Sequence, residues 1–248
     1  MTNVTRAPLT VLAENESFVA IAKPPGRLVV PDRARAEGPT LFDDLKEQLE
    51  EPTLLLTHRL DRDTTGVLLF ARSTDAQRAF THLFETGRFH KTYFALVNGV
   101  PSEDSGRVTH PLAEGRRSRR VIRPEGKASA TRWRVLDRFP APGDERYPLA
   151  PAFEGAGEPI ARTPGHAWLE CEPETGRTHQ IRVHLASLGL PIVADVFYDF
   201  SGAAPVTPRC ALHAAKAEWE MSNERYRVEA PLPEDLVSAL AALRGSIR

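Results

Sequence analysis

Short apolar runs separated by polar breaks dominate the chain and predict many strands. Apolar patches in residues 9–22 are split by residues 14–17, which predicts a hairpin that ends at the prolines and glycine of residues 23–26. Alternating or fully apolar runs predict further strands at residues 67–71, 93–97, 130–136 and 167–171.

Helical periodicity occurs in three segments. The first follows a cap at Ser73 or Thr74 and ends at Gly87, the second covers residues 178–188, and the third covers residues 234–243. The positions expected to face inward are Ala79, Leu83 and Phe84 in the first helix and Ile181, Leu185 and Leu188 in the second. Many strands with few helices predict an α+β fold with a mixed, mostly antiparallel sheet.

Residues 139–165 show neither helical nor strand periodicity and are rich in proline, glycine and charged residues. This pattern predicts a long irregular loop, which we interpret as an insertion. The chain has 248 residues and no internal repeat. We therefore expect a single domain over residues 1–248.

Composition is that of an ordinary globular protein, with 41% hydrophobic and 26% charged residues. The sequence has no apolar run of membrane-spanning length and no signal pattern at its start. Cys171 and Cys210 lack metal-ligand spacing. Reduced thiols in a cytoplasmic protein are the expected state.

The formal net charge of −1 argues mildly against a nucleic-acid partner. Arginines nevertheless cluster in one short stretch, at Arg116, Arg117, Arg119, Arg120 and Arg123, and Lys127, Arg132 and Arg134 follow. The cluster is either a solvated charged loop or part of a surface that binds RNA.

Three polar segments are unusual for a purely structural sequence. Residues 58–66 place charged and hydroxyl side chains directly before a buried strand. Residues 175–184 begin a helix, where the helix dipole favours anions, and residues 91–93 place a tyrosine beside a lysine. Each segment alone fits a capped turn, but together they supply a carboxylate, an arginine and a ring that can stack on an unpaired base of RNA.

The first of these segments, His-Arg-Leu-Asp-Arg-Asp-Thr-Thr-Gly, resembles the HRLDxxTSG signature of the RluA-type pseudouridine synthases. Residues 175–184 resemble that family's TGRTHQIRVHL segment. Shorter matches follow the family's order at residues 23–26, 91–93, 130–131, 189–195 and 212–214. The resemblance implies the pseudouridine synthase fold with a central RNA-binding cleft, and isomerisation of uridines in transfer RNA or 23S-type ribosomal RNA.

The resemblance also implies roles for individual residues. Asp61 corresponds to the nucleophile, Arg182 to the arginine that pairs with its carboxylate, and Tyr93 to the ring that stacks on the target uracil. The residues expected to contact the RNA or to shape the loop that carries the nucleophile are Arg59, Thr65, Ile181, His58, Arg177, His179 and Lys91.

Two positions depart from the family pattern. Thr65 replaces the usual serine and keeps its hydroxyl, whereas Ala194 replaces the usual glycine before Asp195, so the backbone there is expected to differ slightly. The catalytic motifs begin close to the first residue, so we expect no S4 RNA-binding domain before them. A monomer without an obligate protein partner is expected.

Pseudouridine formation breaks the C1′–N1 bond, rotates the uracil and joins it again through C5. The reaction involves no redox change and no net hydrolysis, so neither a cofactor nor a metal is expected. A carboxylate is a suitable covalent catalyst because it can attack and later leave. Attack at C1′, attack at C6 and removal of the 2′ proton are all compatible with the sequence.

Three alternatives compete with this interpretation. Asp61 and Asp63 could be the two carboxylates of a glycosidase, although they lie only two residues apart. A non-enzymatic RNA-binding module would keep the basic residues without needing the carboxylate. A zinc site would draw on His58, His179, His184 and His213, but two of these lie about 140° apart on the predicted second helix.

Overall fold

The computed structural model describes residues 7–31, 39–116, 119–141 and 153–246. The chain divides into two compact units, the first formed by Met1–Phe89 with Lys216–Pro231 and the second by His90–Ala215 with Leu232–Arg248. The elements within the described residues are, in chain order, β1 (Thr10–Glu14), β2 (Phe18–Lys23), α1 (Leu41–Leu49), β3 (Leu55–Leu56), β4 (Thr65–Ala71), α2 (Thr74–Glu85), β5 (Phe89–Pro101), β6 (Ser105–Val108), β7 (Leu112–Glu114), β8 (Arg120–Ile122), β9 (Thr131–Pro140), β10 (Arg162–Pro173), α3 (Gln180–Ser187), β11 (Leu212–Met221), β12 (Glu224–Glu229) and α4 (Glu234–Gly245).

Strands of the first unit pair antiparallel. β1 pairs with β2 as the predicted hairpin, β2 and β3 pair with β4, and β11 pairs with β12. The register places Lys23, the last residue of β2, opposite Gly66 near the start of β4. The end of β2 therefore lies beside the polar segment that precedes β4.

Aromatic rings form the centre of the first unit's core. Phe89 and Trp219 stack with centroids 5.2 Å apart and planes 15° apart, and Phe18 meets Trp219 edge-on. Helix α2 covers this cluster with Ala76, Phe80 and Leu83. Of the predicted inner face of α2, Leu83 is buried and Phe84 packs half-buried against the cluster, whereas Ala79 is half-buried and does not belong to the cluster.

The ends of α2 agree with the sequence. The Ser73 hydroxyl accepts a hydrogen bond from the backbone N–H of Ala76 at 3.1 Å, which caps the first turn. Gly87, just after the helix, has a φ of +67°, a left-handed conformation that favours glycine.

Helix α1 was not predicted, although its start has a sequence signature. Thr40 and Asp43 form a capping box: the backbone N–H of Thr40 donates to the Asp43 carboxylate at 2.8 Å, and the Thr40 hydroxyl accepts from the Asp43 N–H. The pKa of Asp43 is lowered, chiefly by the hydrogen bond from the Thr40 backbone.

In the second unit β10 pairs antiparallel with β5 and β9, and β6 pairs antiparallel with β9. β7 and β8 form a separate hairpin. Every residue of α3 is buried, and the helix packs Val183 and Ala186 against Leu112 and Ile122 of that hairpin. The hairpin is therefore fixed to the helix that carries Arg182.

The predicted irregular segment is narrower than expected. β9 continues to Pro140 and β10 begins at Arg162, so both ends of residues 139–165 are strand. Its residues 142–152 lie outside the described residues.

None of the helices in the described ranges is long and apolar enough to cross a membrane. The strand pairings confirm the α+β class and the mostly antiparallel sheet.

Ala194 has a φ of +58°, a conformation that L side chains rarely adopt. The alanine thus adopts a backbone conformation suited to glycine, and a difference from the family's backbone at this position stays a prediction. We predict that Ala194→Gly raises the free energy of unfolding by about 1 kcal/mol, because it removes the steric cost of the Cβ atom. Urea unfolding measures the difference.

Ala79→Gly is the matched control for this prediction. Ala79 lies inside α2, where glycine should lower the free energy of unfolding by about 1 kcal/mol. A loss of stability in both variants would show that Ala194 carries no strain.

Candidate active site

Asp61 lies on a tight turn at the end of the segment before β4. The backbone N–H of Thr64 donates to the carbonyl of Asp61 at 3.2 Å, and the Asp61 side chain is half-buried. Thr65 begins β4 and is buried. Asp61 thus lies in a loop that leads directly into the rigid strand β4. Such loops are a common place for a reactive side chain.

Lys23 holds this turn from inside the first unit. Its side chain is 1% exposed, and its ammonium donates to the carbonyls of Pro24, Arg62 and Thr64 at 2.9, 2.7 and 2.9 Å. Lys23 is not among the predicted site residues. A lysine between a buried strand and two prolines is the sequence feature that could have pointed to it.

His58 was predicted to contact RNA, and its surroundings favour a structural role. Its Nε2 accepts a hydrogen bond from the backbone N–H of Leu69 at 3.3 Å, and its ring packs edge-on against Phe84. Arg59, by contrast, is exposed and available to a ligand. RNA contact by either residue stays a prediction.

Arg182 on α3 forms a buried bidentate ion pair with Asp195. Its Nε and Nη2 donate to the two carboxylate oxygens of Asp195, each at 2.7 Å, and the two side chains are 7% and 0% exposed. The ring centroids of Phe197 and Tyr198 lie 5.4 and 5.2 Å from the guanidinium carbon of Arg182. The ion pair uses two of the five N–H donors of arginine. The predicted pairing of Arg182 with Asp61 stays a prediction.

Gln180 fixes the turn before α3. Its Oε1 accepts from the Thr175 hydroxyl at 2.7 Å and from the Arg177 N–H at 3.0 Å. Its Nε2 donates to the carbonyl of Ala130 at 2.8 Å and to the Thr131 hydroxyl. Gln180 was not predicted, yet it ties the helix start to β9 and so orients the buried Ile181 and its neighbour Arg182.

The predicted RNA contacts around the start of α3 differ in exposure. Arg177 is exposed, and its Nε donates to the carbonyl of Ala128. His179 is the N-cap residue, with a φ of +56°, and its Nδ1 lies 2.8 Å from the Tyr198 hydroxyl. His179 thus belongs to the cap rather than to the helix, contrary to the sequence prediction.

Tyr93 lies on β5 in the second unit and is 8% exposed. Burial lowers the pKa of its neighbour Lys91 to about 8, so this lysine is partly neutral in mildly alkaline solution. Cys171, opposite Tyr93 in β10, is a buried thiol whose pKa is raised by burial, so it is a poor nucleophile.

The predicted arginine cluster separates into two parts. Arg134 pairs with Glu170 at 2.6 Å, and Arg132 pairs at 2.9 Å with Glu174, a carboxylate that also binds Arg107. Arg116 is exposed at the tip of the β7–β8 hairpin, and Arg119 is half-buried there. Arg117 lies outside the described residues.

His184 is fully buried, and its ring is saturated with hydrogen bonds. Nε2 lies 3.0 Å from the His110 carbonyl and must donate to it, so Nδ1 accepts from the Thr131 hydroxyl at 2.8 Å. No three His, Cys, Asp or Glu side chains come together as a metal-ion site within the described ranges.

The fold and the two motif segments define an RNA-modifying isomerase. The chain belongs to the RNA pseudouridylate synthase family, whose model matches residues 17–187. The matched region includes Asp61, Tyr93 and Arg182.

Curated relatives and solved structures agree with this assignment. Ribosomal large subunit pseudouridine synthase D of Xanthomonas campestris is 34% identical over 96% of this chain and 70% of its own length. Dual-specificity RNA pseudouridine synthase RluA of Vibrio vulnificus is 34% identical over 83% of this chain and 75% of its own length. Human RNA Pseudouridylate Synthase Domain Containing 4 has 24% identity and a TM-score of 0.69, covering 95% of this chain and 93% of its own, which confirms the fold.

We predict that Asp195→Asn lowers the free energy of unfolding by about 3 kcal/mol, because it leaves the buried guanidinium of Arg182 opposite a neutral amide. Urea unfolding of the purified variant measures the loss. Asp75→Asn is the control, since Asp75 meets Arg78 on the exposed surface of α2 and the pair should contribute little. Equal losses in the two variants would contradict the importance of the buried pair.

His184 should make stability depend on pH. Burial lowers its folded-state pKa from 6.5 to about 4, so below pH 6.5 the unfolded chain takes up a proton that the folded chain does not. Stability should therefore fall as the pH drops from 6.5 towards 4, with His184 contributing about 3 kcal/mol of the loss.

Urea unfolding of the wild type and of His184→Gln across this pH range tests the prediction. The variant should lose less stability than the wild type, although His110 and His166, whose pKa values burial also lowers, remain in both proteins. Parallel curves for the two proteins would exclude His184 as a source of the pH dependence.

Proposed function

We propose that this chain isomerises specific uridines in structured ribosomal or transfer RNA, with Asp61 as the nucleophile. The observation that carries the proposal is the turn held by Lys23, which presents a half-buried carboxylate at the family's signature segment. A turn held by two hydrogen bonds from the buried Lys23 ammonium preorganises the carboxylate for attack on a bound nucleotide. The names of the relatives, which refer to the ribosomal large subunit and to dual-specificity RNA modification, support RNA as the substrate.

In the proposed mechanism the target nucleotide is flipped out of its stack at a cost of a few kcal/mol. Stacking on the ring of Tyr93 offsets roughly 1–3 kcal/mol of that cost. Asp61 supplies the electron pair for a covalent intermediate, the C1′–N1 bond breaks, and the uracil rotates and bonds through C5. Asp61 is released as a carboxylate when C5 bonds to C1′, the proton on C5 is lost to solvent, and N1, freed from the sugar, takes up a proton from solvent.

Arg182 favours the ionised carboxylate in this proposal, and Ile181 lies against the base. Arg59, Arg177, His179 and Lys91 contact the RNA. The two units act as one catalytic domain, and the chain works as a cytoplasmic monomer without cofactor or metal. Asp63 shares the turn of Asp61 and stabilises it, so the two carboxylates are one catalyst and one turn residue rather than a glycosidase pair.

We expect Asp61→Asn to abolish turnover while the protein stays folded and still binds RNA, because an amide is nearly isosteric but a very poor nucleophile. Asp63→Asn should retain most activity, since an amide oxygen can replace a carboxylate oxygen in a turn. The measurement is single-turnover release of tritium from transcripts of ribosomal and transfer RNA labelled at C5 of uridine.

Thermal melts of both variants provide the folding control. Activity in Asp61→Asn together with inactivity in Asp63→Asn would show that Asp63 is the nucleophile. Wild-type protein that binds these RNAs but releases no tritium would support the non-enzymatic RNA-binding alternative.

A further inference from the structure

The segment of residues 195–201 after α3 is fixed at both ends by carboxylates. At one end Asp195 binds Arg182 and accepts from the backbone N–H of Phe197 at 3.0 Å. At the other end Asp199 accepts from the Asn98 amide at 2.8 Å and from the Ser201 hydroxyl at 2.6 Å. The segment is therefore anchored at one end by a buried ion pair and at the other by partly buried hydrogen bonds.

Between these ends the segment exposes large apolar side chains. Val196 is 79% exposed and Phe200 is 53% exposed. Arg119, at the β7–β8 hairpin, lies with its guanidinium carbon 5.8 Å from the ring centroid of Phe200 and 5.6 Å from that of Phe197. We call Arg119, Val196, Phe197 and Phe200 the Phe200 patch.

The patch is connected to both elements around it by a buried tyrosine. The Tyr198 hydroxyl accepts from the backbone N–H of Arg120 at 2.7 Å and lies 2.8 Å from Nδ1 of His179. The hairpin that carries Arg119 and the start of α3 are thus joined through the same segment. An exposed ring on a segment held this firmly loses hydrophobic free energy unless a partner covers it.

The chemistry of the patch fits a nucleotide. A half-exposed aromatic ring offers a stacking face to a base, and a guanidinium beside it can bind the attached phosphate. Arg116 on the same hairpin adds an exposed positive charge. Two exposed apolar side chains are too few for the core of a stable protein interface, which favours RNA over a protein partner.

We propose that the Phe200 patch is a subsite for an unpaired nucleotide of the substrate RNA, separate from the target uridine. Phe200 stacks on its base and Arg119 binds its phosphate. The proposal rests on the proposed function, because it assumes that the natural ligand is RNA. The segment that binds this nucleotide is also the one that holds Arg182 through Asp195, so the subsite helps to choose which uridine is modified.

Fluorescence anisotropy with a labelled oligouridylate about ten nucleotides long tests the subsite. Phe200→Ala should weaken binding about tenfold or more, whereas Phe200→Trp should bind at least as tightly as the wild type. Val237→Ala is the matched control, because Val237 is an exposed apolar residue on α4, and its affinity should be unchanged.

Salt dependence separates the two halves of the subsite. Arg119→Ala should reduce the slope of log affinity against log salt by about 0.7, while Phe200→Ala should lower the affinity without changing the slope. Wild-type affinity in Phe200→Ala, with thermal melts showing intact folding, would overturn the proposal and assign the patch to a different partner. Weakened binding in Phe200→Trp as well as in Phe200→Ala would equally exclude stacking.

Tritium release by the same variants distinguishes a failure of the subsite proposal from a failure of the proposed function. At subsaturating RNA the single-turnover rate of Phe200→Ala should fall together with its affinity, whereas Val237→Ala should keep the wild-type rate. A wild-type protein without tritium release would defeat the proposed function, yet the oligouridylate measurements would still decide whether the patch binds single-stranded RNA.

Discussion

A guanidinium buried in a protein has to be neutralised where it lies, and the ion pair of Arg182 with Asp195 meets this requirement in the second unit. Because the pair is bidentate, it sets the orientation of the arginine as well as its charge. The same carboxylate also shapes the turn that follows it, so one ion pair determines where the rings of Phe197 and Tyr198 lie. Helix α3, the segment after it and the β7–β8 hairpin all depend on this contact.

The first unit handles its buried charge differently. Lys23 is surrounded by carbonyl oxygens of the backbone, and an ammonium with three donors suits three separate acceptors. In the second unit a planar guanidinium meets a single planar carboxylate. In both arrangements the hydrogen bonds that stabilise the buried charge also fix the backbone beside a proposed catalytic residue. That residue is Asp61 in the first unit and Arg182 in the second.

Periodicity in the sequence is enough to locate the first hairpin, β4, α2 and α3, because each has a strong apolar repeat or a clear cap. The short β7 and β8 have three residues each, too few to show a period. Resemblance to a family assigned roles to Asp61 and Arg182, but not their partners within each unit. The contacts of Lys23 with Arg62 and Thr64, and those of Gln180 with Ala130 and Thr131, join groups 39–41 and 49–50 residues apart, and no local pattern encodes such pairings.

The first unit is built from two stretches of chain, with the whole of His90–Ala215 between them. Its aromatic core joins Phe18, Phe80 and Phe89 to Trp219, which belongs to the second stretch. During synthesis on the ribosome the early rings therefore emerge long before the tryptophan that covers them. The first unit cannot complete its core until translation has passed Trp219, and in that interval its exposed rings are open to chaperones and to aggregation.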